Sequence, residues 1–276
     1  MSGKDASELV HYSSTPEAAF ITLDSPSSRN ALSQTLVDQL IDRIAEASQS
    51  SCNVVVLTHT DPVFCAGMDL KDTRSVDLSG LTQVMLALRN VPQPTMAVLT
   101  GPARAGGLGL MASCDFVVAA DHVTFAFTEV RIGVVPALIS VPVLARVAAP
   151  FLVTEFLTGA EFTAARALEI GLITHVSTDP HGEAQRLIAQ LAAVGPKALR
   201  LTTSLLREAN SVNYEQRLVK MQKQSEAIFA SEEAQDGMLA FREKRKPNWL
   251  KRSFAVLLVS DIASGDGRSW PSISRN

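Results

Sequence analysis

Glycines concentrate in one stretch of the chain, GPARAGGLGLMASCD at residues 101–115, where an apolar run predicted as a strand gives way to a predicted helix. Gly106, Gly107 and Gly109 each cost a helix about 1 kcal/mol relative to alanine, so the bare backbone is expected to serve a purpose. One purpose is close packing of the helix on a strand. The other is a set of free backbone amides, which can hold an anion or stabilise negative charge that develops during a reaction.

Nucleotide-binding loops do not fit this stretch. It lacks the GKS or GKT ending of a phosphate-binding loop. Its glycine spacing also differs from GxGxxG followed about twenty residues later by an acidic ribose ligand. A different ligand for the amides is therefore expected.

A second run of small residues, FCAGMDLKD at residues 64–72, follows the apolar segment 53–59. It is either an ordinary β/α turn in which Asp69 caps the next helix, or a loop whose backbone N–H groups face a ligand. Turns that follow neighbouring parallel strands open on the same edge of a sheet. Together the two glycine-containing stretches would form an oxyanion hole of two amides.

Glu129 stands in an apolar setting, within TFAFTEVRIGVVPALIS at residues 124–140. It is either an exposed residue paired with Arg131 or a carboxyl group that faces an apolar pocket. In the second case, loss of hydration would raise its pKa toward neutral pH and make it a competent acid/base.

The elements that must position these residues alternate between strands and helices. An amphipathic helix is predicted to begin after an N-cap at Ser33, with Leu36, Leu40, Ile44 and Ala47 on its buried face. Another helical pattern covers 78–90. β-Prone runs at 8–13 and 18–23 predict a hairpin or meander, and continuous apolar runs predict buried strands at 53–59, 95–101 and 115–121. This alternation predicts an α/β fold with parallel β/α units.

Beyond residue 150 the pattern becomes mostly helical, with breaks at Gly159, Gly171, Gly195 and Pro196. The last segment, 251–276, is rich in serine and glycine and lacks a clear period. It is expected to be a poorly ordered tail.

Composition narrows the function classes. The chain has 276 residues and a formal net charge of -3, which gives no general attraction to nucleic acid or to an anionic membrane. Any anion must therefore be held locally. The three cysteines lack zinc or redox spacing, and the five histidines are scattered, so neither a disulfide framework nor a metal site is expected. No apolar leader or long apolar span is present, and a cytoplasmic protein is expected.

The stretches FCAGMDLKD, ARAGGLGLMASCD and FTEVRIGVVPALIS, in this order and spacing, closely resemble the enoyl-CoA hydratase/isomerase (crotonase) superfamily. The resemblance runs from about residue 8 to residue 249. It implies a crotonase-like β/α spiral core over 1–195 and a helical C-terminal trimerisation region over 196–250, followed by the atypical tail. It also implies an enzyme of acyl-CoA thioesters, assembled as a homotrimer or a dimer of trimers, whose coenzyme A is part of the substrate and which needs no separate cofactor.

The resemblance also implies roles for individual residues. The amides of Met68 and Gly106 would hold the thioester oxygen, and Glu129 would be the acid/base. Residues near the substrate would include Arg29 and Ala31, in a segment that matches the family stretch beside the coenzyme A adenine. The remaining implied substrate-binding residues are Ala66, Asp69, Leu70, and also Phe241 and Lys244, which match positions that reach a neighbouring subunit's coenzyme A.

One position departs from the family pattern. Hydratases of this superfamily commonly use two glutamates; Glu129 matches the second, and the first falls on Gly109. During hydration a lone carboxylate would have to take a proton from water and also give one to C2, unless substrate or solvent helps. Moving a double bond needs only one base. The combination nevertheless resembles a branch usually assigned as hydratases, including methylglutaconyl-CoA-like enzymes. A hydratase (a lyase) is therefore expected, with a Δ3-Δ2-enoyl-CoA isomerase or a non-catalytic acyl-CoA binder as alternatives.

Arg104 precedes Gly106 at a position where the family often has an apolar residue. It either forms a surface salt bridge or recognises an acidic acyl group, and the sequence leaves both open.

Overall fold

The computed structural model describes residues 8–60, 62–69, 77–208 and 213–248, so the predicted tail at 251–276 lies outside the described residues. Strands and helices alternate in the N-terminal part, and helices dominate the C-terminal part. The strands are β1 Val10–Ser14, β2 Ala18–Leu23, β3 Val54–His59, β4 Thr95–Leu99, β5 Ala103–Arg104, β6 Phe116–Ala120, β7 Thr124–Ala126, β8 Phe162–Thr163 and β9 His175–Ser177. The α-helices are α1 Gln34–Gln49, α2 Ser79–Asn90, α3 Gly106–Ala112, α4 Ala137–Leu144, α5 Val153–Thr158, α6 Ala164–Glu169, α7 Pro180–Ala192, α8 Pro196–Glu208, α9 Tyr214–Phe229 and α10 Glu232–Arg242.

The main sheet has six strands in the order β1-β2-β3-β4-β6-β9. β1 and β2 form the predicted antiparallel pair, with Val10 opposite Leu23. Every other neighbouring pair in this sheet is parallel, as the β/α alternation predicts. A smaller sheet in the order β5-β7-β8 lies beside it. The short strands β5, β7, β8 and β9 were not predicted.

The main sheet is covered on both faces, which explains the continuous apolar runs of its central strands. In β3, Val55 and Leu57 belong to the large core, whereas Val54 and Val56 pack in a second cluster with Leu187 of α7. Successive side chains of a strand point to opposite faces, so both sets must be apolar when both faces are buried.

Helix α1 follows the predicted pattern closely. The Ser33 hydroxyl accepts a hydrogen bond from the Leu36 N–H at 3.3 Å and caps the helix. The predicted face of Leu36, Leu40, Ile44 and Ala47 is fully buried against the core.

The C-terminal helices fold onto the core of their own chain. α9 packs against α4, and α10 packs against a short 3-10 helix at Thr128–Ile132. The Ser225 hydroxyl accepts a hydrogen bond from the Leu138 N–H at 3.3 Å, which fixes α9 at the start of α4. The predicted boundary between core and C-terminal region therefore separates segments that share contacts, and the trimerisation role stays a prediction. Within the described ranges, no helix has the length and apolarity to cross a membrane.

Candidate active site

Two backbone segments meet at the carboxyl edge of the strands. Cys65 pairs with Ala103 in an isolated parallel bridge, and the Arg104 N–H donates to the Cys65 carbonyl at 2.9 Å. This pairing places the residues that follow Cys65 next to the first residues of α3. A Cβ built on Gly67 would lie 3.5 Å from the Gly106 nitrogen, so the two stretches predicted to present amides are adjacent.

The N–H groups of Met68 and Gly106 are available to a ligand. Neither donates to a protein acceptor within the described part of the chain. Gly106 is the first residue of α3, where a helix leaves its N–H without an intrahelical partner. The loop that carries Met68 is fixed by Leu32, whose N–H donates to the Gly67 carbonyl at 2.8 Å. Both amide-bearing residues line the same cavity, called here the inner cavity.

Glu129 lies on that cavity and is 8% exposed. Its Oε2 atom is buried and has no hydrogen-bond partner in the part of the chain that the structure describes. Burial raises the pKa of the Glu129 carboxyl from 4.5 to about 7, and a hydrogen bond from its own backbone N–H offsets only part of this effect. Arg131 instead donates to the Thr158 carbonyl at 3.2 Å. Of the two alternatives for Glu129, the one with an apolar pocket is confirmed.

The inner cavity is small and mostly apolar. It has a volume of about 80 Å³. Thr128, Glu129 and Ser225 are the polar side chains among its described lining residues. Its other lining residues are Ala66, Met68, Leu78, Leu81, Ala105, Gly106, Ile132, Val134, Val135, Pro136, Ala137, Leu138, Ile139 and Phe229.

A wider cavity of about 680 Å³, called here the outer groove, adjoins the inner one. The two share Ala66, Met68, Thr128 and Ile132, so they meet beside the Met68 amide. The described lining of the outer groove contains three arginines, Arg29, Arg104 and Arg131, and one acidic residue, Asp69. An excess of positive charge in a concave surface favours anionic ligands, in a protein whose overall charge is negative.

Most of the expected substrate-binding residues line the outer groove. Arg29, Ala31, Ala66 and Asp69 do so, and Phe241 reaches it from the end of α10. Phe241 lies on the groove of its own chain, and its contact with a neighbouring subunit's coenzyme A stays a prediction. Lys244 is exposed and is not among the described lining residues of either cavity. Leu70 lies outside the described residues.

Arg104 forms the salt bridge that one of its two alternatives predicts. Its guanidinium pairs with Glu161 and donates to the carbonyl and hydroxyl oxygens of Thr124 at 2.6 and 2.8 Å. It faces the outer groove and is not among the described residues of the inner cavity.

Comparison with known proteins agrees with this geometry. A family model described as enoyl-CoA hydratase/isomerase matches residues 15–252. The crystal structure of an enoyl-CoA hydratase from Mycobacterium avium is 38% identical, with a TM-score of 0.82 over 88% of this chain and 100% of that chain. An enoyl-CoA isomerase/hydratase of Mycosarcoma maydis is 30% identical over 82% of this chain and 90% of its own. Methylmalonyl-CoA decarboxylase of Escherichia coli (strain K12) is 29% identical over 80% of this chain and 90% of its own.

The chain belongs to the enoyl-CoA hydratase/isomerase family. The predicted superfamily and the predicted α/β crotonase-type fold are thereby confirmed. Members of this family are enzymes that process CoA thioesters, and the relatives above carry three different activity names. Family membership therefore leaves the net reaction to be argued from the site.

Gly109, the position that the resemblance assigns to the first of two glutamates, has no room for a side chain. A Cβ built on Gly109 would lie 2.7 Å from Cγ2 of Ile139 and 3.2 Å from Sδ of Met85. The space that a side chain at this position would enter is thus filled by core atoms. Glu129 is the only ionisable side chain among the described residues of the inner cavity.

Two contributions to the site were missed by sequence reasoning. Asn30 is fully buried with a φ of +51°, accepts from the Ser25 N–H at 2.7 Å and donates to the Val63 carbonyl at 2.8 Å. It joins the segment that carries Arg29 to the segment that leads to Met68. The turn-rich sequence DSPSSRN signals a turn there, but not this bridge. The second contribution is α9, and its Ser225 and Phe229 carry no local signal at all.

Proposed function

We propose that this family member is an enoyl-CoA hydratase that adds water across the C2=C3 bond of an acyl-CoA thioester. One observation carries the proposal: a buried carboxyl group with a pKa near neutrality lies on the same small cavity as two backbone amides that have no acceptor among the described residues. The amides of Met68 and Gly106 would bind the thioester oxygen, and Glu129 would transfer the proton. The name of the 38% identical M. avium hydratase supports the same reaction.

The reaction would use one carboxylate twice. As water attacks C3, the C3–O bond forms and the ionised Glu129 accepts the proton that the water loses. The electron pair of C2=C3 moves toward the carbonyl and gives an enolate, whose oxygen is held by the two amides. Glu129 then returns the proton to C2, and the enzyme ends as it began. Because the pKa is near 7, the carboxyl group can both accept and release a proton at neutral pH.

The amides would supply much of the stabilisation of the enolate. They are fixed by neighbouring backbone, so they need little reorganisation as the negative charge develops. Removing one donor from such a site typically costs about 10²- to 10³-fold in rate. The low polarity of the inner cavity strengthens these hydrogen bonds, because little water competes for them.

A second candidate reaction is isomerisation of a 3-enoyl-CoA to a 2-enoyl-CoA. The packing of Ile139 against Gly109 favours it, since Glu129 is the one carboxylate among the described residues of the inner cavity. Glu129 would remove a proton from C2, the electrons would spread over the dienolate with its oxygen on the amides, and the same proton would return at C4. One carboxyl group suffices for both transfers.

Product analysis in deuterated water separates these reactions. Crotonyl-, 3-hexenoyl- and 3-methylglutaconyl-CoA are incubated with the protein, and the products are identified by mass and by alkene position. Addition of solvent oxygen to crotonyl-CoA supports the hydratase. A shifted alkene in 3-hexenoyl-CoA with only hydrogen exchange, together with no addition of water to crotonyl-CoA, would support the isomerase and contradict the hydratase.

Glu129→Gln provides the control for chemistry in this experiment. The amide cannot act as a base, so turnover is expected to fall by about 10²- to 10⁴-fold while acyl-CoA binding remains. A wild-type protein that binds acyl-CoA and turns over none of the three substrates would be a non-catalytic binder. That outcome would reject both proposed reactions.

A further inference from the structure

We propose that the inner cavity selects short acyl groups and that Phe229 of α9 sets their length. This inference rests on the proposed function, since it assigns the acyl end of the same site. It narrows the substrate class to acyl-CoA thioesters of about crotonyl size.

The volume of the inner cavity sets the size of the acyl group. A dry protein cavity of about 150 Å³ takes up one benzene, which has six carbons. A volume of about 80 Å³ therefore has room for roughly three carbons. With the thioester carbonyl at the Met68 and Gly106 amides, these would be C2, C3 and C4 of a crotonyl group.

Helix α9 forms a wall of the inner cavity and is fixed on two sides. Ser225 accepts from the Leu138 N–H at 3.3 Å, and Glu226 accepts from the Leu78 N–H at 3.2 Å. Leu138 and Leu78 also line the cavity. Phe229, the last residue of the helix, is 7% exposed and is among the described lining residues of the inner cavity but not of the outer groove. A phenyl ring held in this way limits the length of the acyl chain.

Binding of saturated thioesters tests this inference without requiring catalysis. Calorimetry with butyryl-, hexanoyl- and octanoyl-CoA is expected to give the tightest binding for butyryl-CoA. Hexanoyl-CoA, which is two methylenes longer, should bind at least about tenfold more weakly, because one extra methylene against a full pocket already costs about that factor. Equal affinity for butyryl- and octanoyl-CoA would overturn the inference.

Variants of α9 test the role of Phe229. Phe229→Ala opens space of about the size of a benzene ring and should improve octanoyl-CoA binding by about tenfold over the wild type. Phe229→Leu, which opens less space, should improve hexanoyl-CoA instead, and it serves also if the alanine variant does not fold. Val219→Ala lies on the same helix at an exposed position and should leave the length preference unchanged. An unchanged preference in both Phe229 variants would remove Phe229 as the determinant.

The binding and turnover experiments can contradict the acyl selectivity and the proposed reaction independently of each other. If butyryl-CoA binds tightly and crotonyl-CoA is not converted, the proposed reaction is wrong and the acyl selectivity stands. If crotonyl-CoA is converted and octenoyl-CoA is converted equally well, the reaction stands and the selectivity is wrong.

Discussion

A Cβ built on Gly67 would lie 2.9 Å from the Cβ of Ala105, so the loop that carries Met68 touches the turn that carries Gly106. Gly67 also has a φ of +92°, a conformation that is strained for other residues. Gly67→Ala should therefore push the two amide-bearing segments apart. We expect kcat to fall by about 10²-fold or more, the typical cost of losing one oxyanion donor, with a smaller change in substrate binding. Steady-state kinetics with the preferred substrate measures both.

Gly171→Ala is the matched control for this prediction. Gly171 has a φ of +79°, but the nearest atom to its built Cβ is the Arg146 carbonyl oxygen at 3.9 Å. Both variants should lose roughly 1 kcal/mol of stability through backbone strain, and Gly67→Ala should lose more because its Cβ also meets Ala105. Only Gly67→Ala should lose kcat. A similar loss of kcat in both would show that strain in general, and not displacement of the amides, is responsible.

The buried carboxyl group of Glu129 makes stability depend on pH. Its pKa is raised from 4.5 to about 7 in the folded protein, so between these values the folded state keeps a proton that the unfolded state has lost. Stability should therefore fall as pH rises through this window, and the full penalty, on the order of 3 kcal/mol, applies above it. Glu129→Gln removes the penalty. Urea unfolding should show the variant to be more stable than the wild type at about pH 8, with little difference near pH 4.

Glu17→Gln is the control for the pH dependence, because Glu17 is exposed and its removal relieves no burial. The variant should show the same difference in the free energy of unfolding between about pH 8 and about pH 4 as the wild type. Equal stability of Glu129→Gln and wild type at about pH 8 would contradict the burial of an ionisable Glu129.

Arg104→Leu tests whether the outer groove binds the CoA part of the substrate and not its acyl group. Since Arg104 lies on the outer groove and pairs with Glu161, its loss should affect the part of the ligand that all CoA thioesters share. We expect KM to change by the same factor for crotonyl-CoA and for a dicarboxylyl-CoA. A rise in KM for the dicarboxylyl thioester alone would show instead that Arg104 recognises an acidic acyl group.

The fold could be predicted where a local sequence pattern indicates both the type of element and which of its faces are buried. The central strands carry continuous apolar runs because both faces of the sheet are buried, and α1 carries its cap and buried face in its own sequence. The strands β5 and β8 have two residues each, too few for any alternation to be visible. Their existence depends on pairing with β7, which is a tertiary contact.

The same distinction applies to the site. The amide-bearing loops and Glu129 could be located because glycines and an acidic residue in an apolar run are visible locally. Phe229 and Ile139 could not, because their roles arise from packing between segments that are far apart in the sequence. The sequence marks Gly109 as a missing glutamate, while only the structure shows that Ile139 occupies the space.

The contact between Gly109 and Ile139 can be measured by a double-mutant cycle. Gly109→Ala places a Cβ 2.7 Å from Cγ2 of Ile139, and overpacking of this kind costs about 1 to 3 kcal/mol, partly offset by the better helix propensity of alanine. Ile139→Ala removes Cγ2, so the double variant should be more stable than the sum of the single effects by about 1 kcal/mol. Ile139→Val keeps Cγ2 and should give no such rescue. Denaturant unfolding of the six proteins measures the coupling. Rescue by valine as large as by alanine would mean that the Cγ2 atom is not what closes this position to a second side chain.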